Sequence, residues 1–130
     1  MASLFEAGCV YSSDDGEVVI VGFADSQFDT KRYVLLQRGK HPSGEDRALG
    51  HDQVHITVDD ESHSNYGGIR TIELEPGLVR ISLEPNAARL LGTDREIVIR
   101  FVSNSSEQAA LVTRLMELFA EMPDSLAVKL

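Results

Sequence analysis

Apolar and polar positions along the chain predict a run of short strands that ends in one amphipathic helix. Residues 4–11 and 17–24 form the first two strands, joined by the polar turn Ser12-Ser13-Asp14-Asp15-Gly16. Within the second, Val18-Val19-Ile20-Val21 is apolar on both faces, the pattern of a central strand covered on each side. Residues 33–38 (Tyr-Val-Leu-Leu-Gln-Arg) predict a third strand of the same two-sided kind, and a loop rich in Gly, Pro and charge follows over 39–50.

Residues 54–59 alternate. Val54, Ile56 and Val58 face one way, and His55, Thr57 and Asp59 the other. The next segment, Asp60 through Gly68, is too polar for an element interior and predicts a loop closed by a Gly pair. Residues 69–84 predict a hairpin about Pro76-Gly77. That turn pairs Leu74 with Val79 and Ile72 with Ile81 inward, and sets Glu73 opposite Arg80 and Thr71 opposite Ser82 outward. Pro-Gly favours a type II turn whereas tight hairpins prefer the primed types, which allows a loop one or two residues longer.

Residues 85–91 predict a short helical turn with Pro at its first position and Gly92 as C-cap. Residues 96–102 alternate again, with Ile97, Ile99 and Phe101 inward. The last element is a helix from about 106 to 121. Ser105 and Gln108 have capping-box spacing, and Leu111, Leu115, Leu118 and Met122 recur on one stripe that Val112 and Phe119 widen. Glu107, Arg114, Glu117 and Glu121 occupy the other side, and Pro123 stops the helix. The sum is an α+β fold: a mainly antiparallel six- to seven-stranded sheet with the C-terminal helix packed on one face. At 130 residues, with no repeat and no linker, the expectation is one domain over 1–130.

Composition sharpens this picture. With 42% hydrophobic and 25% charged residues the chain is globular in type, and with no Trp and 6% aromatics its core must rest on Val, Ile and Leu. The single Cys9 has no internal disulfide partner and is read as a small buried hydrophobe. Twelve Lys and Arg against 21 Asp and Glu give a net charge of −9, which repels nucleic-acid phosphates and anionic membranes and attracts a basic protein. With no secretory pattern and no apolar run near the ~18 residues of a membrane span, a cytoplasmic location is expected.

His51-Asp52-Gln53-Val54-His55 has the histidine spacing of a zinc-protease helix, but that motif works only where a helix brings both rings to one face. The alternation here is a strand's, so a surface histidine pair is expected and no metal. A small metal-binding protein or hydrolase using His51, His55 and His63 is the alternative reading. Asp59-Asp60-Glu61, with His63 and Asn65, approaches a calcium loop but lacks Gly at the sixth place and has Arg70 at the twelfth. Gly67-Gly68 leads into a strand without a phosphate-binding Lys, so the pair supplies positive φ or close backbone approach. No catalytic constellation and no cofactor are expected. The partner-binding candidates are Asp59, Asp60, Glu61, His63, Tyr66, Gly67 and Gly68, of which Asp59, Asp60, Glu61 and Tyr66 are expected together and mostly exposed at one end of the sheet. Tyr66 would be the anchor and the acids would steer the partner.

The order Tyr33-Val-Leu-Leu-Gln-Arg38, Leu49-Gly-His-Asp-Gln-Val-His-Ile-Thr-Val-Asp59 and Tyr66-Gly-Gly-Ile69 resembles the bacterial immunity protein 10 family. Ile72-Glu-Leu74 and the turn from Ala88 to Gly92 continue the pattern, so that the resemblance covers about residues 10–120. The matched positions are Gln37, Asp59, Tyr66, Gly67 and Gly68; His51, His55 and His63 lie outside the pattern. The resemblance implies an α+β immunity protein of a polymorphic toxin system, non-catalytic, that binds and neutralises a cognate toxin of basic character. A non-catalytic oligomerisation module, such as a homodimer, is the third reading.

Overall fold

The computed structural model describes residues 2–130. Among these, ten strands and three α-helices follow in the order β1 (Ala2–Ala7), β2 (Cys9–Asp14), β3 (Val18–Ala24), β4 (Tyr33–Gly39), α1 (Gly44–Ala48), β5 (His55–Val58), β6 (Asp60–Tyr66), β7 (Ile69–Glu75), β8 (Leu78–Leu83), α2 (Pro85–Leu91), β9 (Glu96–Phe101), α3 (Ser105–Leu118) and β10 (Leu126–Val128). The fold is α+β and mainly antiparallel; only β1–β9 and β10–β7 pair in parallel. The strands form two five-stranded sheets instead of one larger sheet, in the orders β1-β9-β8-β7-β10 and β2-β3-β4-β5-β6.

The split begins at Gly8. Residues 4–11 read as one strand, but Phe5 and Ala7 enter the first sheet, and the chain then crosses to the second as β2. A Cβ at Gly8 would stand 2.7 Å from the carbonyl oxygen of Asp25, so the crossing point admits no side chain without a shift. The 39–50 segment holds α1, capped by Ser43, whose hydroxyl accepts from the backbone N–H of Asp46 while the Asp46 carboxylate accepts from that of Ser43.

The predicted 60–68 loop is largely strand. Asp59 takes a left-handed φ of 63°, the chain reverses there, and β6 pairs with β5 as the edge of the second sheet. An edge strand needs no apolar face to be held, because its ladder bonds to a single neighbour suffice, and polar edges resist further pairing.

The β7–β8 hairpin has the predicted register about a two-residue turn, with Gly77 at φ 69°. Ile72, Leu74, Val79 and Ile81 are fully buried. The outward charges pair differently: Arg80 reaches Glu75 and Glu96, and Glu73 takes Lys129. Helix α2 has Pro85 at its start and Gly92 in the left-handed region at its end, as expected. Helix α3 is capped one residue earlier than predicted, by Asn104 with Glu107, and ends at Leu118 with Phe119 as C-cap.

Leu111, Leu115, Leu118 and Phe119 join the buried side chains of both sheets in one hydrophobic cluster, and Phe23 and Phe101 meet across the sheets at 5.8 Å between ring centroids. Helix α3 lies over β2, β3 and β4, and its polar side is tied to the second sheet by ion pairs. Arg114 and Lys40 both hold Asp14, at 3.2 and 2.7 Å, while Arg38 and Arg47 both reach Glu121. The Lys40 hydrogen bond is the largest cause that lowers the Asp14 carboxyl to about 2.

Three burial expectations change. Thr57 is buried, and its hydroxyl lies 3.2 Å from that of Ser64 on the added strand β6. Cys9 is half-exposed at the sheet edge. Val18 and Ile20 are half-buried beside the buried Val19 and Val21, so β3 is fully covered on one side and partly on the other.

Leu115 is fully buried. Leu115→Ala is expected to cost about 2–5 kcal/mol of unfolding free energy, read by urea denaturation followed by circular dichroism. A loss under about 0.5 kcal/mol would mean that α3 does not close the core.

Candidate functional site

The expected partner-binding residues divide between the two ends of β6. Asp59, Asp60 and Glu61 sit at the β5–β6 reversal, and Tyr66 ends the same strand. Six residue steps separate Asp60 from Tyr66, roughly 20 Å of extended chain, so the acids and the aromatic do not form one cluster.

At the acidic end, Asp59 is occupied by the fold. Its carboxylate accepts from the Tyr33 N–H and from Arg32 Nε, both at 3.0 Å, and its own N–H donates to the Tyr33 carbonyl. The left-handed turn that aims these groups is one Asp tolerates better than most residues. The Asp60 carboxylate accepts from the N–H and hydroxyl of Ser62, which hold its pKa below the ordinary carboxylate value. Glu61 is exposed. Burial, then the carboxylates of Glu61, Asp60 and Asp59, push the Tyr33 phenol up.

Sequence reasoning missed the neighbouring β3–β4 loop. Phe28 is 79% exposed there, although its loop is tightly hydrogen-bonded. The Ser26 hydroxyl donates to the Phe28 carbonyl, the Thr30 hydroxyl to the Ser26 carbonyl and the Lys31 N–H to Asp25. An ordered loop that shows an aromatic side chain to water has the form of an interface anchor. The signal was a lone aromatic inside Asp25-Ser-Gln-Phe-Asp-Thr30.

At the other end Tyr66 lies between two imidazoles. His51 stacks on it at 4.5 Å and His55 meets its edge at 4.6 Å between centroids. The Gln37 amide lies 3.3 Å from His55 Nδ1. His63 belongs elsewhere: it alternates with Ser64 on β6 and rests against Gly92, so the three histidines do not converge. Among the described residues no group of three His, Cys, Asp or Glu side chains is placed to hold a metal.

The Gly pair is structural. Gly67 and Gly68 have φ of 78° and 88°; a Cβ at Gly67 would overlap the Gln53 side chain, and one at Gly68 would overlap Ala87 of α2. Gly67 is buried and cannot meet a partner through its own surface.

A concavity of about 850 Å³ lies between α2 and the first sheet and includes Arg70, Arg89 and Arg95 with Asp94 and Glu96. These arginines lie too far apart in the chain for any local motif to announce them.

Burial pushes the His55 imidazole below its ordinary value. A depressed folded value means that the unfolded chain binds the proton more readily, so this contribution to stability is full above about pH 6.5 and is lost as pH falls below it. His55→Gln should therefore flatten the fall in melting temperature between pH 7 and pH 5, measured by calorimetry. An unchanged pH slope would show that His55 carries none of it.

No curated protein matches the chain. The family model described as Immunity protein 10 matches residues 6–110. The match runs from the end of β1 into α3 and takes in the second sheet, β7, β8 and β9 of the first, the acidic reversal at Asp59, and the Tyr66-Gly67-Gly68 run. This chain belongs to the Immunity protein 10 family.

Proposed function

We propose that this chain is an immunity protein that binds one cognate toxin domain and neutralises it by covering it, without catalysis of its own. The observation that carries the reading, beside family membership, is the acidic end of the second sheet. There Asp60 and Glu61 are exposed, at the end of the sheet where Arg32 and Tyr33 bring the β3–β4 loop with its exposed Phe28 against Asp59. Carboxylates at a rim steer a cationic partner and raise the rate of encounter, while an aromatic that enters a pocket slows departure. Net charge −9 adds a long-range field of the same sign.

In this reading the toxin is basic, the whole chain acts as one domain, and Asp59 serves the interface indirectly by bracing Arg32 and Tyr33. Tyr66 contacts the toxin only if the interface extends along the sheet. The metal-enzyme alternative finds no support in the arrangement of His51, His55 and His63. Each imidazole is engaged with an aromatic ring or a backbone turn, and the three do not face one point.

The test uses the toxin domain encoded beside this chain's gene, with binding followed by stopped flow across a salt series. Asp60→Lys with Glu61→Lys should slow association roughly tenfold at low salt and flatten its salt dependence. Phe28→Ala should instead speed dissociation. Association and dissociation unchanged in all these variants would move the interface away from this end.

A further inference from the structure

The two faces of the second sheet differ in what covers them. Its inner face carries Val19, Val21, Phe23, Val34, Leu36 and Ile56, all buried in the common core. On the outer face, strand register sets Tyr11, Gly22, Leu35, Thr57 and Ser64 in one row across β2 to β6. The next row is Ser13, Ile20, Gln37, His55 and Tyr66. Helix α3 lies on the inner side and α2 packs against β6; on the outer face His51 covers Tyr66 and Thr57 is buried, while Ile20, Leu35, Gln37 and His55 stay partly exposed. Tyr11 is 55% and Tyr66 44% exposed there. Gly22 supplies no side chain, so Leu35 leans toward it. The hollow that results, about 340 Å³, is framed by Cys9, Tyr11, Ala24, Tyr33 and Leu35.

The apolar part of this face, Tyr11, Ile20 and Leu35 about the Gly22 hollow, is bordered by Ser13, Gln37, Thr57 and Ser64, and partly exposed apolar surface rimmed by polar side chains marks a contact surface. Its chemistry selects the occupant. Neither row contains a Lys or Arg, and the carboxylates of Asp59, Asp60 and Glu61 bear on Tyr33 at its margin. A second copy of this chain would bring the same acidic margin against itself, at net charge −9 on each molecule. A basic partner meets no such repulsion. Size agrees: four strand spacings by six residues give roughly 400 Å² in plan, about half of one side of a standard interface at ~800 Å². The acidic end and Phe28 are continuous with it and supply further area.

We infer that the outer face of the second sheet is the main seat of the toxin, receiving an apolar patch bordered by Lys and Arg, with the Tyr11–Gly22–Leu35 hollow at its centre. This rests on the toxin-binding reading and adds to it the surface and the partner's chemistry. Tyr11 and Leu35 then govern dissociation, as central residues of an interface do, while Asp60 and Glu61 at the rim govern encounter.

The experiment measures the same neighbouring-gene toxin domain against Tyr11→Ala, Leu35→Arg and, on the first sheet, Arg89→Glu with Arg95→Glu. Urea denaturation of each variant confirms folding, and Tyr11→Ala keeps the test open if Leu35→Arg unfolds. Leu35→Arg and Tyr11→Ala should raise the dissociation rate roughly 30-fold or more with little change in association, and the arginine variants should bind as the parent does. Parent-like binding by folded outer-face variants, or weakening confined to the arginine variants, overturns the assignment and leaves toxin binding standing. Failure of the parent chain itself to bind or protect removes the function and this inference together. A free chain that sediments as a dimer, made monomeric by Leu35→Arg, would give the face to a second copy and overturn the choice of partner.

Discussion

Val21, Leu36, Ile72, Ile81, Ile99 and Leu115 have no measurable exposure, and they come from both sheets and from α3. Their shared burial is the constraint on which the rest depends. A strand presents alternate side chains to two faces, so two sheets offer four faces. The chain has a single helix longer than two turns with which to cover them. The two inner faces and α3 satisfy one another in one cluster; the outer faces must be polar, paired with salt bridges, or left for something else. The first sheet takes the polar route, with Glu73, Glu75, Arg80 and Glu96 on its outside engaged in ion pairs. The second, among the described residues, has no ion pair across its outer rows, and the partly exposed Tyr11, Ile20 and Leu35 there, among Ser13, Gln37, Thr57 and Ser64, are where a partner gains most by covering apolar surface.

This difference explains what could be read from the sequence. The β7–β8 hairpin was legible to the residue pair, because its turn and both faces were encoded within sixteen consecutive residues. The apolar stripe of α3 was legible for the same reason, and the cap missed by one position because Asn104, Ser105 and Glu107 offer overlapping capping signals. The division into two sheets was not legible: it depends on a chain crossing at Gly8 beside Asp25 and on the parallel docking of β1 and β10, contacts made across the length of the chain. Polar β6 escaped because it is held by backbone bonds to β5 and not by a pattern of its own.

The candidate site was half legible. The acids at 59–61 were found, but their division of labour was not: only the structure shows Asp59 bonded to Arg32 and Tyr33 while Glu61 stands exposed. Tyr66 was found as an aromatic and misplaced by the length of a strand, an error that follows from taking β6 for a loop. Val18-Val19-Ile20-Val21 was read as covered on both sides. The periodicity was right about the apolar content, but one side of β3 is only partly covered.

On the proposed function, the toxin completes the partial cover over this face. Methyl-labelled chain titrated with the neighbouring-gene toxin domain, observed by NMR, addresses it without any substitution. The account predicts that the largest shifts fall on the methyl groups of Val18, Ile20 and Leu35 on the outer face of the second sheet, with Leu90, Val98 and Val102 unchanged. Shifts confined to Leu90, Val98 and Val102, with Ile20 and Leu35 silent in a formed complex, would contradict it.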